Sequence, residues 1–106
     1  MTDKIVALST CGSEEEARKL AKSLVEARAA ACVNIVPGVS SVYRWKGKIE
    51  EDNEWLLLIK TRRELFDRLR ALLEELHSYE VPELIAVSID DASAPYLEWI
   101  EQQLRH

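Results

Sequence analysis

Two strand-like segments, "ACVNIVPGVSSVYRW" and "KIEEDNEWLLLIKT", flank Lys46-Gly47 and set the main constraint on this 106-residue chain. Joined by a tight turn they make a hairpin with arms of about 14 residues, close to 45 Å long at roughly 3.3 Å per residue. A globule of this length has a radius of gyration of only about 13 Å, so the hairpin must reach past its own core. Pro37-Gly38 interrupts the first arm and marks an edge, a bend or a bulge. Beyond that break Val39, Ser41, Tyr43 and Trp45 share a face, while the return arm sets Ile49, Trp55, Leu57 and Ile59 against Leu56 and Leu58. A two-stranded ribbon alone in water is marginal, and this one carries Tyr43, Trp45 and Trp55 in its far half. Cover by another chain is the expectation; the alternative is a hairpin curled over its own sheet.

The rest of the chain supplies a small sheet with helices. Residues 4–10 read as a strand, and Ser13 with Glu16 forms a capping box for an amphipathic helix over 14–28, whose apolar face is mostly small. Thr61 with Glu64 reads as a second capping box, opening a helix with Leu65, Leu69, Leu72, Leu73 and Leu76 on one stripe. Pro82 ends that region, "ELIAVSI" reads as a buried strand, and Ser93 begins a last helix with Pro95 in its first turn. The order is strand, helix, strand, strand, helix, strand, plus a C-terminal helix. That predicts one α+β domain over residues 1–106, of the ferredoxin-like βαββαβ type.

Composition narrows the function. An excess of 19 acidic over 14 basic residues gives a formal charge of −5, a poor match to nucleic-acid phosphates or anionic lipid, so cations are the expected charged partners. No apolar run approaches the roughly 18 residues of a membrane span, and no secretion signal is recognised, which predicts a cytoplasmic protein with Cys11 and Cys32 as free thiols. The fold type alone leaves several activities open. A copper chaperone of this architecture needs a C-x-x-C loop, and "STCGSEEE" has one cysteine. Glu14, Glu15 and Glu16 at the first helix N-terminus would repel the phosphate of an acylphosphatase. An RNA-binding sheet needs aromatics on its central strands, and "KIVALST" has none.

His106 is terminal, which leaves His77 as the internal imidazole and makes a catalytic triad a weak reading; no enzyme is expected. Two readings of His77 remain open. It bonds free carbonyls at a helix C-terminus, or it gives nitrogen to a copper or zinc ion beside a cysteine or carboxylate.

Taken together, "AAACVNIVPGVSSVYRWKGKIEEDNEWLLLIKT", "HSYEVPELIAVSI" and "YLEWI" closely resemble the CutA family of divalent-cation tolerance proteins over nearly the whole chain. The resemblance implies a homotrimer with long hairpins extending between neighbours, in a protein tied to tolerance of copper and other divalent ions. It implies an intersubunit cleft near the end of the second helix, carrying His77, Tyr79 and Glu83, with Trp45, Glu54 and Lys60 as further cleft residues. It also implies a metal site for Cu(II) or another divalent cation, for which His77 and Cys11 are the candidates, with no required cofactor. Family members proposed to bind copper have two adjacent histidines; here Leu76 precedes a single His77. The alternative is a regulatory trimer holding a small molecule in such clefts, as in PII-type signalling proteins.

Overall fold

The computed structural model describes residues 2–105. It contains β1 (Lys4–Cys11), α1 (Glu14–Glu26), β2 (Cys32–Trp45), β3 (Lys48–Arg62), a 3-10 turn (Arg63–Leu65), α2 (Phe66–Leu76), β4 (Ile85–Ser88) and α3 (Ala94–Leu104). The strands form one antiparallel sheet in the order β2-β3-β1-β4. This is an α+β fold with four strands and three helices.

Period-two alternation decides the layers. Ile5, Ala7, Ser9 and Cys11 of β1 are buried, and Leu57 and Ile59 of β3 lie on the same side. Ala17, Leu20 and Leu24 of α1 and Leu69 and Leu73 of α2 close the core over them. Small residues on α1 let that helix lie close to the sheet, as its sequence predicts. Ile100 and Leu104 of α3 pack with Ala31 and Leu65 in a second cluster.

The hairpin has the predicted length. Its arms contain 14 and 15 residues, and the molecule measures 44 × 25 × 22 Å. Lys46 and Gly47 both take positive φ, 51° and 81°, the pattern of a two-residue type I′ turn. Val36 pairs with Leu56 but Val39 pairs with Glu54, so β2 carries one extra residue at Pro37-Gly38.

Three local expectations need correction. Thr61 does not cap α2: it is buried in β3, where its hydroxyl donates to the Ala29 carbonyl at 2.7 Å, and α2 starts after the 3-10 turn without a side-chain cap. Its seat at the end of an interior strand outweighs its local capping preference. At α1, Ser13 Oγ does accept the Glu16 N–H at 3.1 Å, but the Glu16 carboxylate turns to Ser78 rather than completing the box. Finally, β4 is exposed along its whole length in the single chain, with Ile85 at 51% and Val87 at 52%.

The exposure of β4 belongs to a larger surface. Strand pairing places Asn34, Leu58, Leu8 and Ile85 in one row of the sheet face away from the helices, and Val36, Leu56 and Thr10 in the next. Solvated sheet faces alternate to polar residues; this one is mainly aliphatic. The chain exposes 6651 Å², against roughly 6,000 Å² for a compact monomer of its mass.

Candidate functional site

His77 anchors the loop that forms one wall of the site. It is the C-cap residue of α2, and its backbone N–H donates to the Leu73 carbonyl at 2.8 Å. Its side chain is fully buried, and both ring nitrogens are engaged: Nε2 lies 2.8 Å from the Thr10 carbonyl, and Nδ1 accepts the Tyr79 N–H at 3.0 Å. An acceptor at Nδ1 assigns the donor hydrogen to Nε2. The ring therefore ties the end of α2 to the end of β1 and fixes the next turn of chain. Of the two sequence readings, hydrogen bonding to carbonyls is the one the geometry matches, although the carbonyl belongs to β1 rather than to the helix.

Glu16 completes this joint from α1. Its carboxylate accepts from the Ser78 N–H at 2.8 Å and the Ser78 hydroxyl at 3.0 Å. Burial alone would lift its pKa, but the Ser78 hydrogen bonds and the Gly12 N–H hold it below the ordinary value. Tyr79 then reaches back across the sheet. Its hydroxyl donates to Glu54 Oε2 at 2.7 Å, and its ring stacks obliquely on His77 with centroids 4.6 Å apart. Burial and the Glu54 hydrogen bond push the Tyr79 phenol well above its usual pKa.

Between this loop and the far half of the hairpin lies a cleft of about 770 Å³. Thr10, Glu54, Trp45 and Tyr43 line it from the strands, and Tyr79, Glu80, Val81 and Glu83 from the loop. No lysine, arginine or histidine is among the lining residues. Tyr43 donates its hydroxyl to Asp52; that bond and the surrounding acidic charges push its pKa up to about 12. Loss of hydration, reinforced by the charge of Glu54, raises the Glu83 carboxyl.

Glu54 is the central group. It is only 7% exposed, and among the described residues it forms no ion pair. A buried carboxylate with one hydroxyl donor and no cation is poorly compensated within the chain.

Of the six residues that the resemblance implies for an intersubunit cleft, Trp45, Glu54, Tyr79 and Glu83 line this one, and His77 lies behind Tyr79. Lys60 does not line the cleft; it sits farther along β3, opposite Cys32 and Val6, and hydrogen-bonds Asn34. Cys11 and His77 present no ready donor pair. The Cys11 thiol is fully buried in the core and directed at the Ser13 carbonyl, its pKa raised by burial, and both His77 nitrogens are occupied. Among the described residues no three His, Cys, Asp or Glu side chains converge as a metal cage. The sequence reading missed Ser40, Ser41, Tyr43 and Val81 as lining residues; the alternation after Pro37-Gly38 was the available signal for Ser41 and Tyr43.

The sequence profile of the CutA1 divalent ion tolerance protein matches residues 5–103. The chain belongs to the CutA1 divalent ion tolerance family. It is 50% identical over 97 residues to the Divalent-cation tolerance protein CutA of Thermus thermophilus, covering 92% of this chain and 94% of that one. A chloroplastic Protein CutA of Arabidopsis thaliana is 47% identical over 102 residues, 96% of this chain but 56% of the plant protein, so the chain spans little more than half that relative's length. The crystal structure of CutA from Xylella fastidiosa superposes with a TM-score of 0.95 at 39% identity, over 98% of this chain and all of that one. CutA1 family structures thus share this sheet order and helix placement.

Proposed function

We propose that the chain is a divalent-cation tolerance or response protein that works as a homotrimer of ferredoxin-like subunits and binds Cu(II) or other divalent ions weakly, without catalysis. The observation that carries this reading is the acidic cleft around Glu54, a buried carboxylate whose charge no cation of the described chain offsets. Glu54 and Glu83 are the proposed ligands. Oxygen donors without thiolate or a free imidazole favour weak, exchangeable binding over a permanent site.

Assembly rests on the aliphatic sheet face. Leu8, Leu58, Leu56, Ile85 and Val87 are continuous through Val36 and Thr10 with the mouth of the cleft. A contiguous apolar surface of this kind marks an interaction site, and a sister chain is the partner that the hairpin's length suits. The cleft then lies beside the subunit boundary. Two free cysteines are in keeping with a reducing compartment such as the cytoplasm, and no helix among the described residues is long and apolar enough to cross a membrane.

The cleft volume favours one second reading. About 770 Å³ far exceeds what an ion needs and falls within the range of small-molecule sites. That supports a PII-like regulatory trimer with no physiological metal role. Titration calorimetry with Cu(II), Zn(II) and a nucleotide panel separates the two, with Glu54→Gln and His77→Ala as variants. Ion binding that weakens in Glu54→Gln supports the first reading; nucleotide binding with no ion uptake supports the second. Light scattering that finds a monomer at micromolar concentration removes the trimer from both.

A further inference from the structure

An inorganic ion leaves most of the cleft unexplained. Its carboxylates do not converge on one point as a cage would, and its walls combine Trp45 and Tyr43 with the aliphatic Val81. Val81 is largely exposed, 69%, so its apolar surface faces water in the free chain. Trp45 already accepts a cation: the Lys46 ammonium lies 5.9 Å from its ring centre, at the edge of effective cation–π range. Glu54, meanwhile, keeps one oxygen without a hydrogen-bond partner among the described residues, because Tyr79 occupies only Oε2.

From this combination we infer that the cleft binds an aliphatic diamine or polyamine, with one ammonium on Glu54, a second on the Glu80 and Glu83 side, and the methylene chain against Val81 and Trp45. The inference rests on the cleft being a cation site and names the class of cation. An alkylammonium suits the residues better than a bare ion does. It takes hydrogen bonds from single carboxylate oxygens and needs no closed coordination shell, and its methylenes gain from apolar walls that would do nothing for a metal. Tyr79 sets the orientation. Its hydroxyl fixes one Glu54 oxygen and leaves the other for the ligand, while His77 holds the Tyr79 backbone in place. Electrostatics point the same way. The charge of Glu54 acts on Glu83, Tyr79 and Tyr43 alike, so a single cation placed there relieves repulsion across the whole cleft.

The test is calorimetric titration of the full chain, in its native assembly, with 1,4-diaminobutane, spermidine, the uncharged 1,4-butanediol and, separately, Zn(II). Binding is expected for both amines and not for the diol, with affinity falling as salt rises. Glu54→Gln is expected to weaken amine binding about tenfold or more, the loss of one charge-assisted contact, and Val81→Ser to weaken spermidine while sparing Zn(II). Light scattering on each variant checks that assembly is unchanged. Uptake of Zn(II) without either amine would overturn the amine assignment and leave the divalent-ion reading standing; failure of both would remove the cation site itself. If Glu54→Gln disperses the oligomer while the remaining chains bind amine as before, Glu54 pairs with a sister chain and the inference fails.

Discussion

Replacing His77 is the sharpest probe of how the site is held. The ring is fully buried and makes two hydrogen bonds, one to the Thr10 carbonyl and one from the Tyr79 N–H. His77→Ala leaves both partners short of a bond in a dry setting, at about 1–3 kcal/mol each, and adds a cavity. A total near 3 kcal/mol is expected. His77→Gln is a finer cut: its amide N–H can still reach Thr10 as Nε2 does, but it offers nothing to Tyr79 in the position of Nδ1, so about 1 kcal/mol is expected. Urea unfolding at fixed protein concentration reads the difference. With m-values of roughly 1–3 kcal/mol/M, the alanine midpoint should fall by about 1–3 M and the glutamine midpoint by about a third of that. A His77→Ala protein that unfolds within about 0.5 kcal/mol of wild type would refute the account of His77 as a strut. So would a His77→Gln protein of full stability that has lost ion uptake, since that pattern belongs to a ligand.

Three further perturbations follow from the same geometry. Tyr79→Phe removes the hydroxyl donor of a buried carboxylate and should cost about 1–3 kcal/mol in denaturant unfolding; no loss would mean that Glu54 finds another donor. Asp3 and Glu101, each held low chiefly by hydrogen bonding to Lys4, and Glu16, held low by Ser78 against burial, have depressed folded pKa values. Their stabilisation is therefore present above the ordinary carboxylate range near 4 and lost as pH falls through their lower folded values, whereas the raised Glu83 opposes this by favouring the folded state as it protonates. The urea midpoint should thus decline below about pH 4, less steeply in Glu16→Gln, and an unchanged slope there would count against the Ser78 joint. Val87→Lys places a charge on the exposed aliphatic row of β4 and should shift light-scattering mass towards the monomer with little change in secondary structure by circular dichroism.

Much of this was legible in the residues because the signals were periodic. Strand alternation in "KIVALST" and the leucine stripe of α2 gave the layers, and Lys46-Gly47 gave the turn. Capping signals were less reliable: Ser13 caps α1, whereas Thr61, with the same local pattern, serves as a buried strand residue. Local propensity is a small energy that tertiary burial overrides. The apolar run at β4 marked a strand correctly but not its cover, since a run of aliphatics looks alike whether a helix of the same chain or a neighbouring copy lies over it. The position of Lys60 was not legible either: it shares a strand with Glu54 six residues away, and only the register sets it opposite Cys32 and Val6, outside the lining of the cleft within one chain.

The bulge at Pro37-Gly38 explains why the cleft has its composition. Continuing the inner register, with Val36 opposite Leu56, would bring Gly38, Ser40, Val42 and Arg44 onto the face of Glu54 and Asp52. The extra residue shifts the outer half of β2 by one position and turns every side chain beyond it to the other face. Val39 and Ser41 therefore stand opposite Glu54 and Asp52, Tyr43 and Trp45 follow on the same face opposite Glu50 and Lys48, and Arg44 is directed away. One inserted residue has turned an arginine away from the face of Glu54 and set two aromatic rings on it. The same shift keeps the aromatics on the aliphatic face of the sheet, so the surface suited to assembly and the cleft suited to a cation are set by a single feature of the backbone.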